Sequence, residues 1–201
     1  PASLTKMMTL YLTFEAMSSG KLGKNTRLSV SKRAAAQEPS SLGLAAGETI
    51  RLEDAILAIA TKSANDVAVV LAETLGGSEN RFAAAMTAKA RQLGMNHTRF
   101  VNASGLPQAQ HYSSAYDLAL LASAIVRDFP EFYPLYNLRE YEYNNIKQAN
   151  RNRLLWIDPY VDGMKTGHTE NAGFCLVASS KRDKRRLISV VLGAASDNLR
   201  A

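Results

Sequence analysis

The feature that most constrains this chain is a switch of hydrophobic period well past its midpoint. Before Asp128 the apolar residues recur three and four apart. From Glu140 the order becomes Glu140-Tyr141-Glu142-Tyr143-Asn144-Asn145-Ile146, an alternation that belongs to a strand, and helical spacing does not clearly return. Two runs rich in Val, Ile and Leu follow, Phe174 to Ser179 and Leu187 to Leu192. They are joined by Lys181-Arg182-Asp183-Lys184-Arg185-Arg186, which predicts a hairpin with a charged turn. Helices first and strands last predict an α+β fold, a helical lobe packed on an antiparallel β-sheet. With 201 residues, 46% of them apolar, the chain can build one cored domain spanning residues 1–201.

Within the helical part, Leu4, Met7, Met8 and Tyr11 share a helix face, and Leu10, Leu12, Phe14 and Met17 fill the other faces until Gly20. A helix apolar all round is buried. Leu52, Ala55, Ile56, Ile59 and Ala60 line a second helix, and Val67 to Leu75 form a third, dense one. The polar break Lys62-Ser63-Ala64-Asn65-Asp66 therefore puts Ser63 and Asn65 between two core helices. Phe82, Met86, Ala90 and Leu93 mark another helix, ended by Gly94. Ser114 with Asp117 resembles a capping box that opens a helix through Leu118, Leu121, Ala122 and Ile125. Arg27 to Ile50 reads as irregular, with short extended pieces.

Several function classes lose their support at this point. No apolar run approaches the ~20 residues needed to cross a bilayer as a helix. The single cysteine, Cys175, excludes an intrachain disulfide and a cysteine-based zinc site, and in a buried strand it reads as an inert thiol. His97, His111 and His168 are too scattered for a helical pair of metal ligands, so neither metal nor cofactor is expected. A net charge of +6 favours anionic partners without naming them. No nucleic-acid motif or patterned basic helix is present, so nucleic acid is not an expected partner. Lys181 to Arg186 would suit a basic module that binds an anionic polymer, but such a run is usually a solvated turn.

What remains is a serine-lysine system. Ser3-Leu4-Thr5-Lys6 places a hydroxyl and an amine three residues apart at the start of the buried helix, on one face and within hydrogen-bonding reach. A lysine serves as base only when uncharged, which burial and a second nearby cation favour. The helix start also offers free N–H groups where an oxyanion would form. Ser18 with Lys21 and Ser29 with Lys32 share the spacing, but the first lies at a helix end and the second in a strand or loop. The plainer reading of Ser3 is an N-cap. Lys165-Thr166-Gly167 occurs once, in the strand-rich half, followed by His168. On a sheet edge it would let a substrate backbone approach at the glycine and draw a carboxylate to the lysine; alternatively it is a solvated strand edge. Ser63-Ala64-Asn65 supplies a proton-shuttling hydroxyl and an orienting amide, or else a helix cap. Ser78-Glu79-Asn80 and Ser196-Asp197-Asn198 repeat its form; Ser78 reads as an exposed cap and Ser196 follows the Lys-Thr-Gly triplet.

Ser-x-x-Lys, Ser-x-Asn and Lys-Thr-Gly in this order are the set found in class A β-lactamases and penicillin-binding proteins. The chain resembles the low-molecular-weight penicillin-binding proteins, the serine-type D-alanyl-D-alanine carboxypeptidases of bacterial cell-wall metabolism. The blocks that carry the likeness are Pro1 to Thr9, Lys62 to Asp66, Asn150-Arg151-Asn152-Arg153-Leu154-Leu155-Trp156 and Val161-Asp162-Gly163-Met164-Lys165-Thr166-Gly167. The resemblance implies a β-lactamase/transpeptidase-like fold. It further implies that N-terminal strands, a C-terminal helix and any membrane anchor lie outside this chain, which opens at Pro1 and reads as an excised piece. Ser3 would be the acylated nucleophile, Lys6 its general base and Ser63 the relay to the leaving amine. Asn65 would hold the substrate amide. Lys165, Thr166 and Gly167 would receive the terminal carboxylate with help from Arg200, and the N–H groups of Ser3 and His168 would form the oxyanion hole. The implied substrate is the peptidoglycan stem peptide, with β-lactams as covalent inhibitors, at a periplasmic site or on the outer face of the bacterial cytoplasmic membrane. A β-lactamase would need an additional glutamate to activate water, and the only comparable Glu-x-x-x-Asn, Glu140 to Asn144, sits in the strand-like alternation. A catalytically idle penicillin-binding or sensor domain is the alternative from another class.

Overall fold

The structure, a computed structural model, describes residues 1–201. A 3-10 turn at Ala2–Thr5 runs directly into α1 (Lys6–Ser18), which is buried on nearly every side as its all-round apolar pattern requires. Around it stand α3 (Leu52–Thr61), α4 (Asn65–Gly76), α5 (Glu79–Gln92) and α6 (Ala115–Asp128). In α4 every residue from Asn65 to Ala72 is buried, the counterpart of its dense apolar run. Phe14 of α1 stacks on Phe132 at 5.0 Å and meets Tyr136 edge-on at 6.5 Å, tying the central helix to the chain that leads into the strands.

The principal sheet is antiparallel, in the order β5 (Val161–Thr169), β6 (Gly173–Arg182), β7 (Arg185–Ala194). β5 is an edge strand, and it packs against the 3-10 turn that carries Ser3. In its register Lys165 pairs with Val177, Thr166 with Leu176 and Gly167 with Cys175. One hydrophobic core joins α1, α3, α4 and α6 to Met164, Cys175 and Val177 of the sheet. Two small antiparallel pairs complete the strands: β1 (Arg27–Ser29) with β2 (Thr49–Arg51), and a hairpin of β3 (Glu140–Tyr143) with β4 (Ile146–Ala149). The second turns on Asn144 and Asn145, both in the left-handed region that asparagine tolerates and two-residue hairpins need.

The α+β expectation is met, as are the hairpin across Lys181–Arg186 and the burial of Cys175. Details differ. The irregular stretch contains a one-turn helix, α2 (Lys32–Ala35), and another follows the strand signal, α7 (Leu154–Ile157); the last turn, α8 (Asp197–Arg200), accords with a closing segment that reads as the start of a helix. Ser114 does cap α6 by accepting from the Asp117 N–H, but the Asp117 carboxylate turns away to accept from the His97 N–H at 2.8 Å and the Thr98 hydroxyl at 2.6 Å. The capping box is therefore one-sided. The basic turn is not wholly solvated either. Arg186 donates to Asp162 at 2.7 and 2.8 Å and to Ser179 at 2.5 Å, lying over the Tyr133 ring, and so pins the start of β5.

Candidate active site

Ser3 lies inside the 3-10 turn rather than at an α-helical N-cap, and its side chain caps nothing. A 3-10 turn has three residues per turn, so residues three apart eclipse and Ser3 sits directly over Lys6. The Lys6 Nζ is 2.9 Å from Ser3 Oγ, 2.7 Å from Asn65 Oδ1 and 2.7 Å from the carbonyl oxygen of Ser104. Two of these three neighbours, the amide and the backbone carbonyl, can only accept. An uncharged amine spends its two N–H groups on them and leaves its lone pair for the third direction, where the serine hydroxyl can donate. Lys6 is fully buried, and burial pushes its ammonium well below the usual lysine range. Lys165 and Arg151 add to that depression, and Asp66 opposes it.

The wall opposite is built by α4 and the loop before it. Ser63 sits in the left-handed region at φ +64°, between α3 and α4, a conformation that costs a residue with a Cβ about 1 kcal/mol and marks a constrained position. Its hydroxyl accepts from Lys165 Nζ at 2.9 Å, so it is not the cap of α4, whose N-cap is Ala64. Asn65 is held on three sides: its N–H donates to the Ser40 carbonyl, its Nδ2 to the Glu38 carbonyl, and its Oδ1 accepts from Lys6. Next to it the buried Asp66 carboxylate accepts the N–H groups of Leu42, Gly43 and Leu44. Asp66 thereby moors the loop that carries Glu38 and Ser40.

Lys165 is buried and also donates to the carbonyl of Thr166 at 2.9 Å. Desolvation, with Arg151 and Arg200 nearby, lowers its pKa to about 7. Gly167 has a role that the triplet alone did not disclose: a Cβ there would stand 2.9 Å from Ser3 N and 3.2 Å from Leu4 N, so the missing side chain is what lets β5 lie against the serine turn. Gly105, at φ +89°, makes room in the same way for the carbonyl of Ala2. His168 is exposed, and its ring stacks on Phe174 at 4.1 Å and makes no hydrogen bond to a serine. His111 accepts from the Val101 N–H at Nδ1, so its Nε2 carries the proton and donates to Thr5 Oγ1 at 2.7 Å. Burial holds its pKa near 4, and the neutral ring braces the serine turn from behind. Arg200 donates to the carbonyls of Gly167 and Cys175 and pairs with Asp197 at 2.5 Å.

These elements enclose a cavity of about 270 Å³ lined by Ser3, Ser40, Ser63, Asn65, Arg151, Thr166, Gly167, His168 and Arg200, among others, and by no acidic residue. Every site residue singled out in the sequence thus lines the cavity or touches a residue that does. Ser78 and Ser196 instead cap α5 and α8, as their side chains accept from Arg81 N and Leu199 N. Glu140 and Asn144 lie on the β3–β4 hairpin and do not line the cavity. Sequence reasoning passed over Ser40, Asp66, Ser104, Gly105 and Arg151. Only two offered a signal: Asp66 adjoins the Ser-x-Asn element, and Arg151 lies in a block that carried the resemblance.

A half-buried serine held against a buried lysine, with a second buried lysine on an edge strand, is the side-chain set of the penicillin-recognition class. Residues 1–196 match the D-alanyl-D-alanine carboxypeptidase family, and the chain belongs to it. It is 40% identical over 207 residues to the D-alanyl-D-alanine carboxypeptidase DacC of Escherichia coli, covering all of this chain and 52% of that protein. Among solved structures it superposes on penicillin binding protein 5 from Haemophilus influenzae with TM-score 0.95 and 38% identity, over 100% of this chain and 60% of the other. It also superposes on penicillin-binding protein D2 from Listeria monocytogenes in its cefotaxime-bound form, with TM-score 0.89, 33% identity and coverage of 100% and 82%. The chain spans about half the length of the curated relatives it matches. No helix in it is long and apolar enough to cross a membrane.

Proposed function

We propose that the chain is one catalytic domain of a serine DD-carboxypeptidase that removes the terminal D-alanine from peptidoglycan stem peptides through an acyl-enzyme, and that β-lactams acylate the same serine. The observation that carries this reading is the contact between Lys6 Nζ and Ser3 Oγ, with the amine's other two directions filled by obligate acceptors.

In the proposed cycle the neutral Lys6 takes the Ser3 proton as Oγ attacks the carbonyl of the penultimate D-alanine. The N–H groups of Ser3 and His168 hold the oxyanion, and the Asn65 amide holds the substrate backbone. Ser63, held in place by Lys165, relays to the departing amine the proton that Lys6 took from Ser3, which returns Lys6 to its neutral form. Lys165, Thr166 and Gly167, with positive charge added by Arg200, receive the carboxylate of the leaving D-alanine. Water then attacks the acyl-enzyme, with Lys6 again as base. In a β-lactam the leaving amine stays tethered to the acyl group, so the adduct persists. The Listeria relative solved with cefotaxime bound supports the β-lactam part. A β-lactamase is disfavoured because no carboxylate lines the cavity to activate a deacylating water. The substrate places the enzyme in the periplasm or on the outer face of the cytoplasmic membrane, with any anchor supplied by segments other than these residues.

The test is intact mass after exposure to benzylpenicillin. Wild-type protein is expected to gain one stable adduct and Ser3→Ala none. An adduct that survives in Ser3→Ala, or that disappears from the wild type within seconds, overturns the assignment.

A further inference from the structure

The positive charges around the cavity are not equally satisfied. Arg200 gives its N–H groups to the carbonyls of Gly167 and Cys175 and to Asp197, so its charge is already offset by a carboxylate of the protein. Lys6 and Lys165 are buried and hold neutral acceptors. Arg151 differs from all three. It lines the same cavity with an exposed side chain, makes one hydrogen bond from Nη2 to the hydroxyl of Ser40 at 2.7 Å, and has no carboxylate partner. A guanidinium carries five N–H donors. Most of these are therefore unspent, in a cavity that contains no acid.

The hold on Arg151 is itself built. Ser40 belongs to the loop that Asp66 moors through the N–H groups of Leu42, Gly43 and Leu44, and the Ser40 carbonyl takes the Asn65 N–H. The loop therefore sets where Arg151 stands relative to Asn65. An arginine fork kept free of protein carboxylates beside two buried lysines is arranged for an incoming anion that it can grip bidentately.

We infer that Arg151 recognises a second carboxylate of the substrate, beyond the terminal one, and that the preferred ligands of this site are peptides carrying two anionic groups. This rests on the carboxypeptidase reading above and adds a substrate class to it. Replacing the Ser40 hydroxyl by a substrate carboxylate exchanges one neutral contact for a charged, two-pronged one. At a partly exposed position this is worth about tenfold in kcat/KM.

The probes are N-acetyl-L-Glu-D-Ala-D-Ala and its isosteric amide, N-acetyl-L-Gln-D-Ala-D-Ala, with D-alanine release measured for wild type, Arg151→Gln, Arg151→Lys and Arg151→Glu. The wild type is expected to favour the glutamyl peptide by about tenfold, less at high salt. Arg151→Gln brings the ratio close to one, Arg151→Lys leaves part of it, and Arg151→Glu reverses it. A damaged fold slows both peptides alike and leaves the ratio where it was, so the ratio separates recognition from structure. A wild-type ratio within twofold of one, or a ratio unmoved by Arg151→Gln, overturns the inference while leaving benzylpenicillin acylation of Ser3 intact. If neither peptide is cleaved and Ser3 takes no benzylpenicillin, the carboxypeptidase reading falls and takes this one with it.

Discussion

Gly167→Ala is the sharpest test of how the sheet and the serine turn are fitted together. The added methyl would stand 2.9 Å from Ser3 N, 3.1 Å from Ala2 Cβ and 3.2 Å from Leu4 N. These are backbone atoms and a Cβ, which cannot swing aside like the end of a flexible side chain. Ordinary contact returns only if β5 and the turn separate by about half an ångström, the kind of small overpacking that costs 1–3 kcal/mol. Part of that cost is offset, because alanine restricts the unfolded chain by roughly 0.4–1 kcal/mol relative to glycine. The net loss expected is therefore about 1–2 kcal/mol, which leaves the domain folded. The chemical effect should be larger, since the displaced backbone carries the proposed nucleophile Ser3 and the Ser3 N–H proposed for the oxyanion. Misplacement by half to one ångström at reacting atoms costs on the order of 10²-fold. The assay is the second-order rate of benzylpenicillin acylation by intact mass, alongside thermal unfolding. A rate within threefold of wild type would refute the argument, as would a loss fully explained by the fraction unfolded at the assay temperature.

Other consequences follow from the buried charges and ties. Lys165 titrates at about 7 in the folded chain against an ordinary 10.5. The unfolded chain thus binds more protons between those values, and stability rises with pH across that window by about 1.4 kcal/mol per unit for one such group. Urea titrations at several pH values from 7.5 to 9 should show the slope, and Lys165→Met should remove the Lys165 share of it and leave the share of the depressed Lys6; an unchanged slope refutes the assignment. Acylation should persist well below the ordinary lysine range and fail only when acid protonates Lys6, since the base works only when neutral; a rate that appears only as the pH approaches that ordinary range would contradict it. Asp66→Ala strands three backbone N–H groups in the loop wall. Only the Leu44 N–H is fully buried, so the loss should be about 2–3 kcal/mol in denaturant midpoint analysis, with slower acylation as well. Arg186→Met removes the half-buried tie to Asp162 and Ser179, for about 1–2 kcal/mol, with acylation reduced less than threefold.

The parts of this molecule that could be read from the sequence are those whose signal is local. The apolar girdle from Leu4 to Met17 gave a buried helix, and the change of period at Glu140 gave the strands. Ser3 and Lys6 were legible because three-residue spacing works equally for a 3-10 turn and an α-helix. The one-turn helices at Lys32–Ala35 and Leu154–Ile157 were not, since four residues span barely one period and their formation depends on what they pack against. The remaining site residues were hidden for another reason. Ser104 contributes a backbone carbonyl, which any residue type supplies; Gly105 contributes an absence of side chain; Asp66 acts through a loop some two dozen positions earlier. Arg186 was read as solvated because its partner Asp162 sits on a different strand.

The two lysines of the site show why helical lobe and sheet must come together before any chemistry is available. Lys6 comes from α1 and Lys165 from β5, and each is nearly or completely buried with only neutral acceptors around its nitrogen. Neither has a carboxylate partner, so burial is not compensated in the usual way and the folded state instead pays by holding the amines at lowered basicity. Lys165 also disfavours charge on Lys6, and Arg151 disfavours it on both. The arrangement divides the labour. The more strongly depressed Lys6, with its lone pair aimed at Ser3, is the one suited to take a proton. Lys165, near neutrality at physiological pH, is easily charged when an anion arrives. A carboxylate entering the cavity would raise the Lys165 pKa and fix its proton, and the added positive charge so close to Lys6 is then screened by the anion that caused it. In the proposed cycle, substrate binding and base activation are compatible because the charge that binds and the amine that reacts belong to different elements, joined at the glycine that lets them touch.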